Sequence, residues 1–84
     1  MKVYGTMLCP DCPPIKELLE KKGVEYEFLN ITEDLMILKE FLELRDNREE
    51  FDIIKQEGSI GVPCMLTDDK EIIFYEEIID RFDK

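Results

Sequence analysis

Apolar side chains recur along this chain at two spacings, every second residue in some stretches and every third or fourth in others, and the switches between them mark the elements. Residues 2–6 contain Val3 and Tyr4 and run out at Gly5-Thr6, a short β-prone stretch with a turn signal behind it. Past residues 7–14, Ile15, Leu18 and Leu19 fall at helical spacing, with Lys21 and Lys22 in the last turn and Gly23 as C-cap. This predicts a helix of about two to three turns. Residues 24–29 alternate apolar with acidic side chains, which predicts a strand with one wet face at a sheet edge. Thr32 is the expected N-cap of a second helix with Glu33 and Asp34 at its positive end and Leu35, Leu38, Phe41 and Leu42 as its core stripe. Asn47 and Glu50 have capping-box spacing, so a further helical piece carrying Phe51 and Ile54 is expected to follow.

Gly58-Ser59-Ile60-Gly61 ends that piece, and residues 62–66 read as a strand whose Pro63 must sit at its start or at an edge. Residues 67–70 form a turn, residues 71–73 a short partner strand, and residues 75–82 a closing helix with Ile78, Ile79 and Phe82 inward. The order is β-α-β-α-β-β-α. A chain of 84 residues, 44% hydrophobic and 38% charged, suits one compact domain over residues 1–84. No apolar run approaches the roughly 18 to 20 residues of a membrane span, and the first residues lack a signal-peptide pattern, so a cytoplasmic chain is expected. The net charge of -10 repels phosphate backbones and anionic lipid headgroups, which disfavours nucleic acid and membranes as partners.

The sequence has three cysteines and no histidine. The odd count disfavours a structural disulfide framework, and the missing histidine excludes a Ser-His or Cys-His catalytic pair within the chain. Cys9 and Cys12 open a helix one turn apart, where their sulfurs can close a small disulfide. Unpaired N–H groups and the helix dipole favour a thiolate at Cys9, the attacking species, whereas Cys12, deeper in the helix, is placed to resolve a mixed disulfide. Zinc would ordinarily need a second ligand pair, and only Cys64 remains. Redox chemistry is therefore preferred over metal.

Cys9-Pro10-Asp11-Cys12 after a strand, with Gly61-Val62-Pro63 opening a later one, resembles the glutaredoxins, and the likeness spans the whole chain. It extends to the Pro13-Pro14 that follows, the middle region ending Arg45-Asp46-Asn47-Arg48, and Cys64, which together are most similar to a subgroup of small bacterial glutaredoxin-related proteins. The resemblance implies a thioredoxin-like α/β fold, a four-stranded mixed central sheet flanked by helices. It implies a cis Val62–Pro63 bond with the Val62 backbone pairing with substrate as an added strand. It also nominates Pro10, Asp11, Val62, Pro63, Arg45, Glu76 and Glu77 as substrate contacts.

Several positions depart from that family pattern. Asp11 replaces the usual Tyr, and its charge opposes a Cys9 thiolate by an amount comparable with what the helix end contributes, so a reducing rather than oxidising couple is expected. Ile73 and Phe74 stand where two glycines cradle glutathione, and bulk there should obstruct the tripeptide, although Glu76 or Glu77 remains available for its ammonium group. The acidic chain repels anionic glutathione unless Lys16, Arg45, Arg48 or Lys55 focuses it locally. Pro13 and Pro14 remove two N–H donors, which either distorts the first turn or simply sets the helix start. Cys64, next to Pro63, is expected near the active thiols, either as a small core residue or as a third metal-binding thiolate.

The expected activity is thiol-disulfide oxidoreduction of protein or low-molecular-weight disulfides, with Cys9 as nucleophile and Cys12 as resolving thiol. No cofactor is expected beyond the redox-active Cys9–Cys12 disulfide, with glutathione or a thioredoxin-reductase-type donor as reductant and a monomer as the acting species. Two rivals stand beside it. One is a metal or iron-sulfur carrier built from Cys9, Cys12 and Cys64, and the other is a non-catalytic redox sensor that changes partner when the bridge closes.

Overall fold

A computed structural model describes residues 1–83. The sheet has four strands in the order β2-β1-β3-β4, formed by β1 (Lys2–Gly5), β2 (Glu27–Asn30), β3 (Cys64–Leu66) and β4 (Ile72–Phe74). β1 and β2 run parallel with Val3 opposite Phe28, an arrangement that requires a crossover. Helix α1 (Cys12–Lys21) supplies it. β3 is antiparallel to both β1 and β4, so the sheet is mixed. Helices α2 (Leu35–Asn47), α3 (Asp52–Gln56) and α4 (Tyr75–Phe82) complete the chain. This is the thioredoxin-like arrangement that the motif implied. Among the described residues no helix is long and apolar enough to cross a membrane.

Successive side chains of a strand point to opposite faces, so the sheet divides the interior in two. On one face Val3, Met65 and Ile73 pack with Ile15 and Leu19 of α1 and Ile78 of α4. On the other, Tyr4, Leu29, Cys64 and Ile72 pack with Phe41 of α2 and Phe51. There the rings of Tyr4, Phe41, Phe51 and Phe74 follow one another at 5.9, 5.8 and 5.0 Å between centroids, distances at which tilted and edge-on ring pairs attract.

Four local expectations change. β2 does lie at an edge, but it begins at Glu27, and Leu29, on the same face as the exposed Glu27, is buried. Its outer face is therefore wet only at its start. Asp34, not Thr32, caps α2 by accepting from the Met36 N–H at 2.9 Å. Thr32 turns back instead and donates its hydroxyl to Asn30 Oδ1 at 2.7 Å.

The inward stripe of α2 is Ile37, Leu38, Phe41 and Leu44, while Leu35 and Leu42 are 77% and 40% exposed. Residues 35–38 are apolar throughout, so more than one helical phase satisfies the same spacing. Asn47 opens no new helix. It is the last residue of α2 and donates from its side chain to the Glu43 carbonyl. A short 3-10 turn at Glu49–Phe51 and α3 follow, which does place Phe51 in the core as expected.

Candidate active site

The cysteines of the Cys9-Pro10-Asp11-Cys12 motif sit where β1 gives way to α1. Helix α1 starts at Cys12, with Asp11 as an N-cap residue whose side chain makes no capping bond. Pro13 and Pro14 then fall in the first turn, where N–H groups have no intrahelical acceptor in any case. The helix begins at Cys12, one residue ahead of Pro13, and both prolines take first-turn positions that need no N–H donor. Cys9 lies before the helix, in a turn closed by its N–H donating to the Thr6 carbonyl at 3.1 Å. The Cys12 N–H donates to the Cys9 carbonyl at 3.2 Å.

Cys9 and Cys12 are 3.7 Å apart. Cys9 is half-buried and Cys12 fully buried, and both are free thiols. The Cys9 thiol donates to the Val62 carbonyl at 3.8 Å, and the Val62–Pro63 bond is cis, as the resemblance implied. The Thr6 N–H donates to Cys12 Sγ at 3.4 Å. Burial pushes the Cys12 thiol up to about 11, with the neighbouring Cys9 and Asp11 acting in the same direction and the Thr6 N–H opposing them. The neutral thiol is thus the resting form at neutral pH.

Two neighbours that sequence reading took only as a turn signal make room for this pair. A Cβ on Gly5 would stand 2.8 Å from Cys12 Sγ and 3.3 Å from the Phe28 ring, so only glycine lets the buried sulfur approach β1 so closely. The Thr6 hydroxyl accepts from the Leu8 N–H at 3.2 Å and bonds the Thr32 hydroxyl at 2.8 Å. That chain ties the Cys9 turn to the end of β2. No sequence motif announces either role, because each depends on contacts between distant segments.

Cys64 is the third cysteine and lies elsewhere. It pairs with Tyr4 across β1 and β3, so its side chain shares the Tyr4 face, under α2. Gly5, one residue on, faces Cys12 on the α1 side. The sheet therefore stands between Cys64 and the Cys12 sulfur, so Cys64, although only two residues from the Val62 that touches Cys9, is the small core residue that one of the two readings expected. Among the described residues no three ligating side chains are grouped to hold a metal ion. Burial pushes the Cys64 thiol up to about 12, as befits an apolar core residue.

The substrate contacts nominated by resemblance divide into two groups. Pro10, Asp11, Val62 and Pro63 surround the thiols. Asp11 and Pro10 are exposed, Val62 is half-buried and Pro63 is buried. Glu76 and Glu77 lie in the first turn of α4, and Glu77 pairs with Arg81 at 2.8 Å. Arg45 donates to the carbonyls of Ser59 and Ile60 at 2.8 and 3.0 Å.

The other cations are engaged as well. Arg48 holds Glu50 and the Lys70 carbonyl, Lys16 sits 4.7 Å over the Phe28 ring, and Lys55 approaches Asp52. Ile73 turns its bulk inward against Met65 and Ile78, whereas Phe74 packs against Phe51 while remaining partly exposed.

A thioredoxin-type sheet carrying two adjacent thiols beside a cis proline defines the chain as a thioredoxin-fold thiol protein. The glutaredoxin family model matches residues 1–72, and the chain belongs to the glutaredoxin family. It is also similar to an uncharacterized protein of Haemophilus influenzae, 37% identical over 65 residues that cover 77% of this chain and 76% of that protein. No solved structure matches it. Family membership carries a thiol-redox function in general terms.

Proposed function

We propose that the protein reduces protein or low-molecular-weight disulfides through a Cys9–Cys12 dithiol in a reducing compartment such as the cytoplasm. The observation that carries this reading is a partly exposed cysteine 3.7 Å from a fully buried one whose sulfur has its own N–H donor. Such a pair separates attack from resolution. The Cys9 thiolate attacks one sulfur of a substrate disulfide, forming a mixed disulfide and expelling the other substrate half as a thiolate that takes up a proton. Cys12 then loses its proton and attacks the Cys9 sulfur, releasing the second substrate thiol and leaving a Cys9–Cys12 disulfide.

Two electrons pass from the dithiol to the substrate. Glutathione or a thioredoxin-reductase-type donor returns them and restores both thiols. Val62 aligns the substrate backbone beside Cys9, with Pro10, Asp11 and Pro63 bordering the same site.

The test is stoichiometric oxidation of pre-reduced protein by a small disulfide with no other reductant present. One disulfide consumed and two thiols released per protein, with both lost in Cys9→Ser, support the reading. Unchanged disulfide consumption in Cys9→Ser, or none in the wild type, overturns it. Comparing glutathione with a thioredoxin reductase as the recharging donor then identifies the electron source.

A further inference from the structure

An open cavity of about 590 Å³ adjoins Cys9, between the turn that carries it and the segment from Gly58 to Val62. Its two walls present Leu8 and Ile60, which are 83% and 62% exposed, and its floor includes the buried Ile31. In a chain where 38% of residues are charged, no residue lining this cavity carries a charge. The hydroxyls of Thr6 and Thr32 within it bond each other. Arg45, the cation holding the Ile60 wall, spends its guanidinium on the Ser59 and Ile60 carbonyls.

The wall is held in place at its root too. Gly58, at φ +74, lets its own N–H and that of Ser59 close the end of α3 onto the Lys55 and Ile54 carbonyls. Large apolar side chains left in water beside a reactive group are unfavourable unless an occupant covers them.

We propose that this groove selects its disulfide by the residues flanking the attacked cysteine, favouring an extended protein or peptide segment with apolar flanks over glutathione, with Leu8 and Ile60 as specificity-determining residues. This rests on the Cys9 dithiol reading. Charge and apolar contact act in the same direction. A carboxylate of glutathione meets no unengaged cation among the lining residues and approaches a chain of net charge -10, whereas apolar flanks remove Leu8 and Ile60 from water. The exchange step is the one already written: the Cys9 thiolate bonds to the sulfur of the apolar-flanked cysteine and the other half of the disulfide leaves as thiolate.

The experiment uses the pre-reduced full chain and three substrates, each a mixed disulfide with the same leaving group, 2-nitro-5-thiobenzoate, whose release is followed by absorbance. The partners are a peptide with Leu and Val flanking its cysteine, a peptide with Ser and Asn flanking it, and glutathione. The apolar peptide is expected to react at least about tenfold faster than either other substrate. Leu8→Ser and Ile60→Ser should each pull the apolar-to-polar rate ratio towards one.

Molar salt, which shortens screening to about 3 Å, should narrow the gap to glutathione but leave the gap between the two neutral peptides. Equal rates for the two peptides, a preference for glutathione that persists in salt, or a ratio unmoved by both variants would overturn the proposal while leaving the dithiol reading standing. Absence of release from every substrate, or release unchanged in Cys9→Ser, would instead overturn the dithiol reading, and this inference with it.

Discussion

Cys12 and Cys64 are both sealed from solvent and both have thiols held protonated by burial, yet they lie on opposite faces of one sheet and in different chemical company. Cys12 sits at the end of β1, receives the Thr6 N–H, and lies beside a second sulfur that reaches the surface. Cys64 sits among Tyr4, Phe41 and Phe51. Burial alone thus says little about a cysteine. What distinguishes a redox thiol is a partner sulfur within reach and a donor for the thiolate it must become.

Replacing each in turn should separate them most sharply. Cys12→Ser is expected to abolish turnover, by about a hundredfold or more, and to leave substrate bound to Cys9 as a mixed disulfide visible by mass spectrometry. Cys64→Ser in the same assay should change the rate by less than about twofold. Equal losses in both would erase the distinction.

Resolution should carry the pH dependence of the Cys12 thiol. Because burial is the main cause raising it to about 11, the reactive thiolate is scarce at neutral pH and its population grows about tenfold per pH unit. The decay rate of the mixed disulfide is therefore expected to climb from pH 7 and still be rising at pH 9. A plateau below pH 8 would show that the protein activates Cys12 far more than its surroundings indicate.

Gly5→Ala tests the room left for that sulfur. A Cβ at 2.8 Å from Cys12 Sγ must push the side chain aside, with an expected loss of about 1–3 kcal/mol in denaturant-measured stability and slower resolution. Unchanged stability and resolution would mean that the sulfur relocates freely.

The effect furthest from the thiol pair concerns Cys64. A serine hydroxyl in its place is a polar group buried among aromatic rings, so Cys64→Ser should cost about 1–3 kcal/mol near neutral pH. Above its ordinary value of 9.0 the unfolded chain loses this proton, while the folded chain retains it to about 12. The wild type therefore sheds stability between those limits by up to about 1.4 kcal/mol per pH unit through this group. Cys64→Ser, with nothing to ionise there, should show a correspondingly shallower alkaline slope in denaturation midpoints.

Much of this was legible along the chain because it is local. Gly23 just past α1, the proline ahead of β3 and the Cys9-Pro10-Asp11-Cys12 motif are each written within a few consecutive residues. They are governed by backbone freedom, side-chain period and helix-end electrostatics, so the order of elements and the pairing of Cys9 with Cys12 at a helix start follow from sequence alone.

The tertiary structure decided what depends on register and phase. The pairing of Tyr4 with Cys64 turned the third sulfur away from the other two, and the packing of Phe41 against Tyr4 and Phe51 selected one helical phase from an apolar run that allows several. The bonds from Arg45 to the Ser59 and Ile60 carbonyls join α2 to the groove wall. Each is a contact between segments far apart in the chain, and a short window of sequence contains only one side of it.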